Sequence, residues 1–234
     1  MFPIMVLTSD KHMHALRGFS YLFNKYWGDD QGVDVFGFSE PDFGLPRNFV
    51  FRSIGDFADY PLEKWSDACL KAVDMMPDHF ILFLEDYWLM RPVDKVMIDL
   101  LLQFAASNAL PRLLKVDLCA DRLYAKDMQD FGNVGWIDLV ISHKDSPYHM
   151  SLMNGIWSKN LFKQVVIPGE NPWEVELNGT PRARELQMNV IGTRQWPVRH
   201  TLALRSGDHK TYHIQELNPE DQHELRKLKL LDLS

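Results

Sequence analysis

Phe80-Ile81-Leu82-Phe83-Leu84-Glu85-Asp86-Tyr87-Trp88 decides the fold: an unbroken apolar run stops at two adjacent carboxylates, and two aromatics follow. A bounded run of this length, rich in Phe and Ile, reads as a fully buried strand, central in a parallel or mixed sheet. The carboxylates then stand at its C-terminal edge, where α/β sheets place ligand sites. Two neighbouring acids repel each other, and a divalent cation carrying a ligand's phosphates is one way to compensate them. The alternative is a strand that simply enters a solvated turn.

Outward from this strand the pattern alternates. Ile4 to Leu7 reads as a first strand, and Thr8-Ser9-Asp10 as a loop and N-cap for a helix with Ala15, Leu16, Phe19, Leu22, Phe23 and Tyr26 on one face. Val33 to Phe38 and Phe49 to Ser53 read as further strands. A helix is expected from about Pro61, where proline suits a first turn, and another from Pro92-Val93-Asp94. This is the alternation of α/β crossover units. Beyond it, Leu113 to Leu118, Ile137 to Ser142 and Arg199 to Leu204 read as strands, Pro168 to Glu174 as a loop, and Asp221 to Leu231 as an amphipathic helix.

The chain has 234 residues, 46% of them hydrophobic, enough for one large α/β domain. The expectation is a single domain over 1–234, with a nucleotide-binding half over about 1–110 and a more polar half over about 111–234. A formal net charge of -7 argues against binding nucleic acid mainly through backbone electrostatics. The two cysteines, Cys69 and Cys119, sit in apolar contexts and read as buried free thiols. Met1 to Leu7 lacks the basic and long apolar regions of a signal peptide, and no apolar stretch reaches membrane-spanning length. A soluble, cytoplasmic protein without a membrane span is expected.

Three ordered blocks, "FILFLEDYWLMRPVD", "SLMNGIWSKNLF" and "GENPWEVELNGTPRARE", resemble small bacterial and phage glycosyltransferases of the GT-A type, over roughly residues 60 to 190. The resemblance implies an α/β GT-A-like fold with a single mixed central sheet flanked by helices. It implies transfer of a sugar from a nucleotide-sugar donor to an acceptor hydroxyl. The candidate acceptors are a glycan, a lipid-linked glycan, a protein or a modified base in DNA. It also implies Mn²⁺ or Mg²⁺ at an Asp-x-Asp element. Here that element reads Leu84-Glu85-Asp86, with leucine in place of the first acid, so Asp86 is the metal candidate and Glu85 its helper or a ribose contact. A non-catalytic carbohydrate- or nucleotide-binding module of the same fold is the alternative.

The remaining candidates follow from chemistry and from the resemblance together. A carboxylate must take the acceptor's proton in an inverting transfer, and Glu174 and Glu176 are the candidates. An extended segment would put both on one face. The alternative is solvated acids, or partners for Arg182 and Arg184. Trp173 is expected to stack on a sugar ring, or else to anchor a loop, and Trp157 is the second acceptor-side aromatic. The resemblance puts Ser9 and Asp10 at the nucleotide base and ribose, though helix capping explains them equally well. Trp65 is a nucleotide-stacking candidate with core packing as its alternative. Arg182 is a diphosphate candidate, or a partner of Glu185 or Glu174. His209 is a late metal-ligand candidate, or an exposed histidine beside a glycine turn.

Overall fold

The computed structural model describes residues 1–124, 128–204 and 211–231. The decisive stretch forms β4 (His79–Leu84), whose side chains alternate between two cores. Ile81 and Phe83 join one apolar cluster, while Phe80 and Leu82 join the other. Burial on both faces is what a continuous apolar run requires.

The first half supplies β1 (Ile4–Leu7), α1 (Ala15–Tyr26), β2 (Val33–Gly37), β3 (Phe49–Ser53), α2 (Trp65–Asp74), β5 (Tyr87–Leu89) and α3 (Lys95–Ala106). The second supplies β6 (Leu113–Asp117), α4 (Asp121–Tyr124), β7 (Met128–Val134), β8 (Ile137–Ser142), β9 (Gly155–Ser158), α5 (Lys159–Val165), α6 (Pro172–Glu185), β10 (Asn189–Thr193), β11 (His200–Leu202) and α7 (Pro219–Lys227). The described residues form a nine-stranded sheet in the order β3-β2-β1-β4-β9-β6-β10-β8-β7 and a small antiparallel pair, β11-β5. β1, β2, β3 and β4 run parallel, and β9 lies antiparallel between β4 and β6. This is the expected class, one mixed central sheet flanked by helices.

One core holds Phe19, Phe23 and Trp27 of the α1 region with Met97, Ile98 and Leu101 of α3. The other holds Cys69, Val73, Phe162 and Val175 from α2, α5 and α6. Helices therefore cover both faces. Both cysteines are free and buried. No described helix is long and apolar enough to cross a membrane.

Three readings need correction. Thr8-Ser9-Asp10 does not cap α1: turns intervene, and the helix begins at Ala15 with His14 before it. The helix expected from Pro61 opens at Trp65 after a short 3₁₀ turn, Leu62–Lys64. The expected loop before Glu174 gives way at Pro172 to α6. Asn171 accepts from the Glu174 amide, the Glu174 carboxylate accepts from the Asn171 amide, and Pro172 occupies the first turn. That is a capping box with a first-turn proline, a helix-start signal.

Candidate active site

The C-terminal ends of β1, β4 and β6 and the N-terminal approach to β9 open on one side of the sheet. There they line a cleft of about 1030 Å³ together with α6 and the residues around β11. Ser9, Glu85, Asp86 and Asp121 lie on the strand-end side, Trp65, Trp173 and Glu176 on the helix side.

Trp88 explains why the acidic turn is held in place. Its ring is fully buried, and its Nε1 donates to the carbonyls of both Ala15 and Glu85, at 3.2 Å each. Gly18 of α1 makes room for it: a Cβ there would lie 2.3 Å from the ring. β5 pairs with β11, and the Asp86 carbonyl accepts from Ala203 at 2.8 Å, so the late strand clamps the turn from the other side. Alternation carries Glu85 to the α1 side, where the His12 ring lies 3.5 Å from it.

Burial, and next the neighbouring charge of Glu85, push the pKa of Asp86 from 3.8 to about 7. Its carboxyl takes a hydrogen bond from its own backbone amide and feels the His12 charge, and both pull the pKa down against that rise. Glu176, on α6, accepts the Leu152 amide at 2.6 Å, and burial raises its pKa against that bond's opposite pull. Tyr87 lies among Asp86, Glu176 and Asp121, and burial followed by these charges raises its pKa well above 10.

Beneath the floor lies a charge network that sequence reading missed. Lys115 and Arg122 are fully buried. Lys115 Nζ lies 2.5 Å from Asp117 Oδ1, an ion-pair contact without hydrogen-bond geometry, and donates to the Ser151 carbonyl at 2.8 Å. Arg122 reaches Asp117 at 2.6 Å, Asp121 at 2.8 Å, Ser142 at 3.0 Å and the Tyr148 carbonyl at 2.7 Å. Gly155 and Gly192 make the space: a Cβ would meet Lys115 at 2.5 Å and Arg122 at 2.7 Å respectively. Burial would raise Asp121, yet Lys115 and Arg122 hold its carboxyl below the ordinary value. Asp121 therefore faces the cleft ionised. The available signal was a second apolar strand ending in acid, Leu113 to Asp117, with Asp121 four residues on.

The structure separates the sequence candidates. Ser9, Trp65, Glu85, Asp86, Trp173 and Glu176 line the cleft. Asp10 does not: its carboxylate accepts from the Ser39 amide and hydroxyl, at 3.0 and 2.7 Å, tying β1 to β2. Glu174 is exposed and spent on the capping box, and a helix does not bring residues two apart onto one face. Trp157 is fully buried on β9 against Phe162, with Lys115 over its ring, so it cannot meet an acceptor. Arg182 forms a bidentate pair with Glu170, at 3.0 and 2.6 Å, rather than with Glu185, Glu174 or a diphosphate. That pair has a positioning consequence. The Ser66 amide donates to the Glu170 carbonyl and the Glu170 amide to Ser66 Oγ, clipping the starts of α2 and α6 together with Trp65 and Trp173 on one lip. His209 lies outside the described residues.

Among the described residues no three His, Cys, Asp or Glu side chains converge as a metal-ligand set. Glu85 and Asp86 offer hard oxygen donors, a set that fits Mg²⁺ or Mn²⁺ where a ligand's phosphates and water complete the shell.

No family model and no curated protein sequence matches the chain. Solved structures do. A galactosyltransferase, LgtC, in complex with donor and acceptor sugar analogs is 13% identical over 76% of this chain and 72% of that one, with a TM-score of 0.44. CMP:2-keto-3-deoxy-manno-octonic acid synthetase complexed with CTP is 14% identical over 98% of both chains, with a TM-score of 0.45. Apo mouse xyloside xylosyltransferase 1 is 8% identical over 80% of this chain and 83% of that one, with a TM-score of 0.43. Likeness at this level carries no argument about chemistry, which rests on the cleft.

Proposed function

We propose that the chain is a glycosyltransferase that moves a sugar from a nucleotide-sugar donor to an acceptor hydroxyl. The observation that carries this is the convergence of Glu85 and Asp86 at the end of β4 with Glu176 and Trp173 from α6 in one cleft. The acceptor oxygen attacks the anomeric carbon, the bond from that carbon to the diphosphate oxygen breaks, and the nucleoside diphosphate leaves. Glu176 takes the acceptor's proton, and a raised pKa brings a carboxylate towards the range suited to a general base. Trp173, 52% exposed, offers its face to a sugar ring, while Ser9 and Trp65 border the donor's base and ribose. Asp86 with Glu85 would hold a divalent cation, which when bound neutralises charge on the diphosphate.

The test is a panel of UDP-, GDP- and CMP-sugars, each with Mn²⁺ or Mg²⁺, read as free nucleotide. The proposal expects release from one donor, accelerated by its acceptor. Leu84, which lines the cleft where an Asp-x-Asp element has its first acid, favours a second reading, a binding module. Stabilisation by a nucleotide with metal, but no release from any donor, would select that reading.

A further inference from the structure

We propose that His200 is a substrate-binding residue of this cleft, a neutral imidazole positioned by Asn154 that donates from Nε2 to a hydroxyl of the bound sugar. This rests on the glycosyl-transfer reading and deepens it, because it names a group that selects hydroxyl-bearing ligands.

Three contacts fix the ring. Asn154, fully buried at the entry to β9, places its amide nitrogen 3.0 Å from His200 Nδ1. Tyr87 stacks on the ring with centroids 4.8 Å apart and planes 29° from parallel. β11 holds the backbone opposite Leu89 of β5. The ring lines the cleft, and no described residue bonds its Nε2. With the Asn154 amide donating, Nδ1 is the accepting nitrogen and the hydrogen sits on Nε2. Turning the amide over would reverse the tautomer, since amide orientation is an assignment. The surrounding charges favour the first arrangement. Asp121, from α4, lies close enough to act on the ring, and Asp86, Glu176 and Glu216 share the cleft, so an N–H pointing there meets a negative field. Lys115 of β6 opposes this, and Arg199 lies beside the ring in sequence. Burial, the largest influence, holds the ring neutral by pushing its pKa down to about 4.

A neutral donor among carboxylates is complementary to a hydroxyl, which accepts one hydrogen bond and gives another. Carboxylates alone would suit a cation. His200 thus turns an acidic cleft into one that recognises sugar hydroxyls, with Asn154 as its positioning residue.

The test uses the whole protein labelled with ¹⁵N at histidine, titrated with UDP-glucose, UDP-galactose, GDP-mannose and CMP-sialic acid in Mg²⁺. Nitrogen shifts report tautomer and charge without any need for turnover. The proposal expects an uncharged, Nε2-protonated His200 from pH 5 to 8 and a shift of its Nε2 signal on binding. It also expects His200→Asn to weaken binding by about 10-fold, the cost of one unmet hydrogen bond, with an unchanged Tm. The asparagine amide oxygen can replace Nδ1 opposite Asn154, but the side chain has no donor at the Nε2 position. Asn154→Ala should mix the two tautomers. Binding that leaves the His200 signals unmoved, with the affinity of His200→Asn unchanged, overturns the inference and spares the glycosyltransferase reading. An Nδ1-protonated ring overturns the donor assignment. Binding by none of the panel overturns both.

Discussion

Asp86→Asn is the perturbation whose size the cleft sets most directly. Burial and Glu85 raise the native pKa of Asp86 from 3.8 to about 7. The native state therefore holds this proton more tightly than the unfolded chain does. Its contribution is fully present below the unfolded value and is lost as pH rises from about 4 to about 7. At 1.36 kcal/mol per unit the full loss is about 4 kcal/mol. Solvent reaches the cleft and Glu85 remains in the variant, so about half of that is expected from one substitution, about 2 kcal/mol. Asparagine keeps the shape and removes the charge. Denaturant unfolding in EDTA at pH 4, 6 and 8 measures the difference. Asp86→Asn should match the parent at pH 4 and exceed it at pH 8, with a Tm higher by about 4–8 °C. Equal stabilities at every pH, or a variant weaker at pH 8, would refute the claim that Asp86 is a half-buried carboxylate whose charge its surroundings only partly compensate.

The other expectations concern single residues. Glu176→Gln should lower turnover by about 10² to 10⁴ while donor affinity stays nearly constant; steady-state kinetics with full activity retained would remove Glu176 as the base. Arg122→Met leaves Asp117 without one of its two cations and should cost about 3–5 kcal/mol; a denaturation midpoint within error of the parent would show the network to be dispensable. Trp157→Ala should cost about 3–5 kcal/mol through the cavity it leaves, whereas Trp173→Ala, at an exposed site, should leave stability unchanged and weaken acceptor binding. A stable Trp157→Ala with altered acceptor affinity would contradict the core assignment.

Much of the sheet was legible because apolar runs bounded by turns leave little choice. β3 and β8 fall on the expected residues, and β4 ends one residue before Glu85. The short pair β5 and β11 was harder, since three residues carry little periodicity and Tyr87-Trp88 reads as a turn until Trp88 is seen buried on Gly18. α6 was misread because Pro, Gly and Asn argue for a loop, although Asn171 and Glu174 also spell a capping box. Trp157 and Trp173 look alike in sequence, and only β9's place between β4 and β6 buries the first. Lys115, Arg122 and Asp117 were illegible for a different reason. Charged side chains are almost never fully buried unless paired. These ion pairs close within residues 115–122, but the Ser142, Tyr148 and Ser151 groups that complete the network come from later segments. His200 was one of nine scattered histidines. Only the pairing of β5 with β11 brings it to Tyr87, and only β9 brings Asn154 beside it.

Calorimetric titration of UDP, GDP and CMP in the presence of Mn²⁺ into the parent, Asp86→Ala and Glu176→Gln tests the central claim most directly. A nucleotide-sugar cleft with Asp86 at its donor end and Glu176 at its acceptor end predicts that at least one nucleotide binds the parent. It predicts equal affinity for Glu176→Gln and no measurable binding for Asp86→Ala, which should remain folded because its side chain is outside the apolar core. Absence of binding by all three nucleotides, or undiminished binding by folded Asp86→Ala, would contradict it.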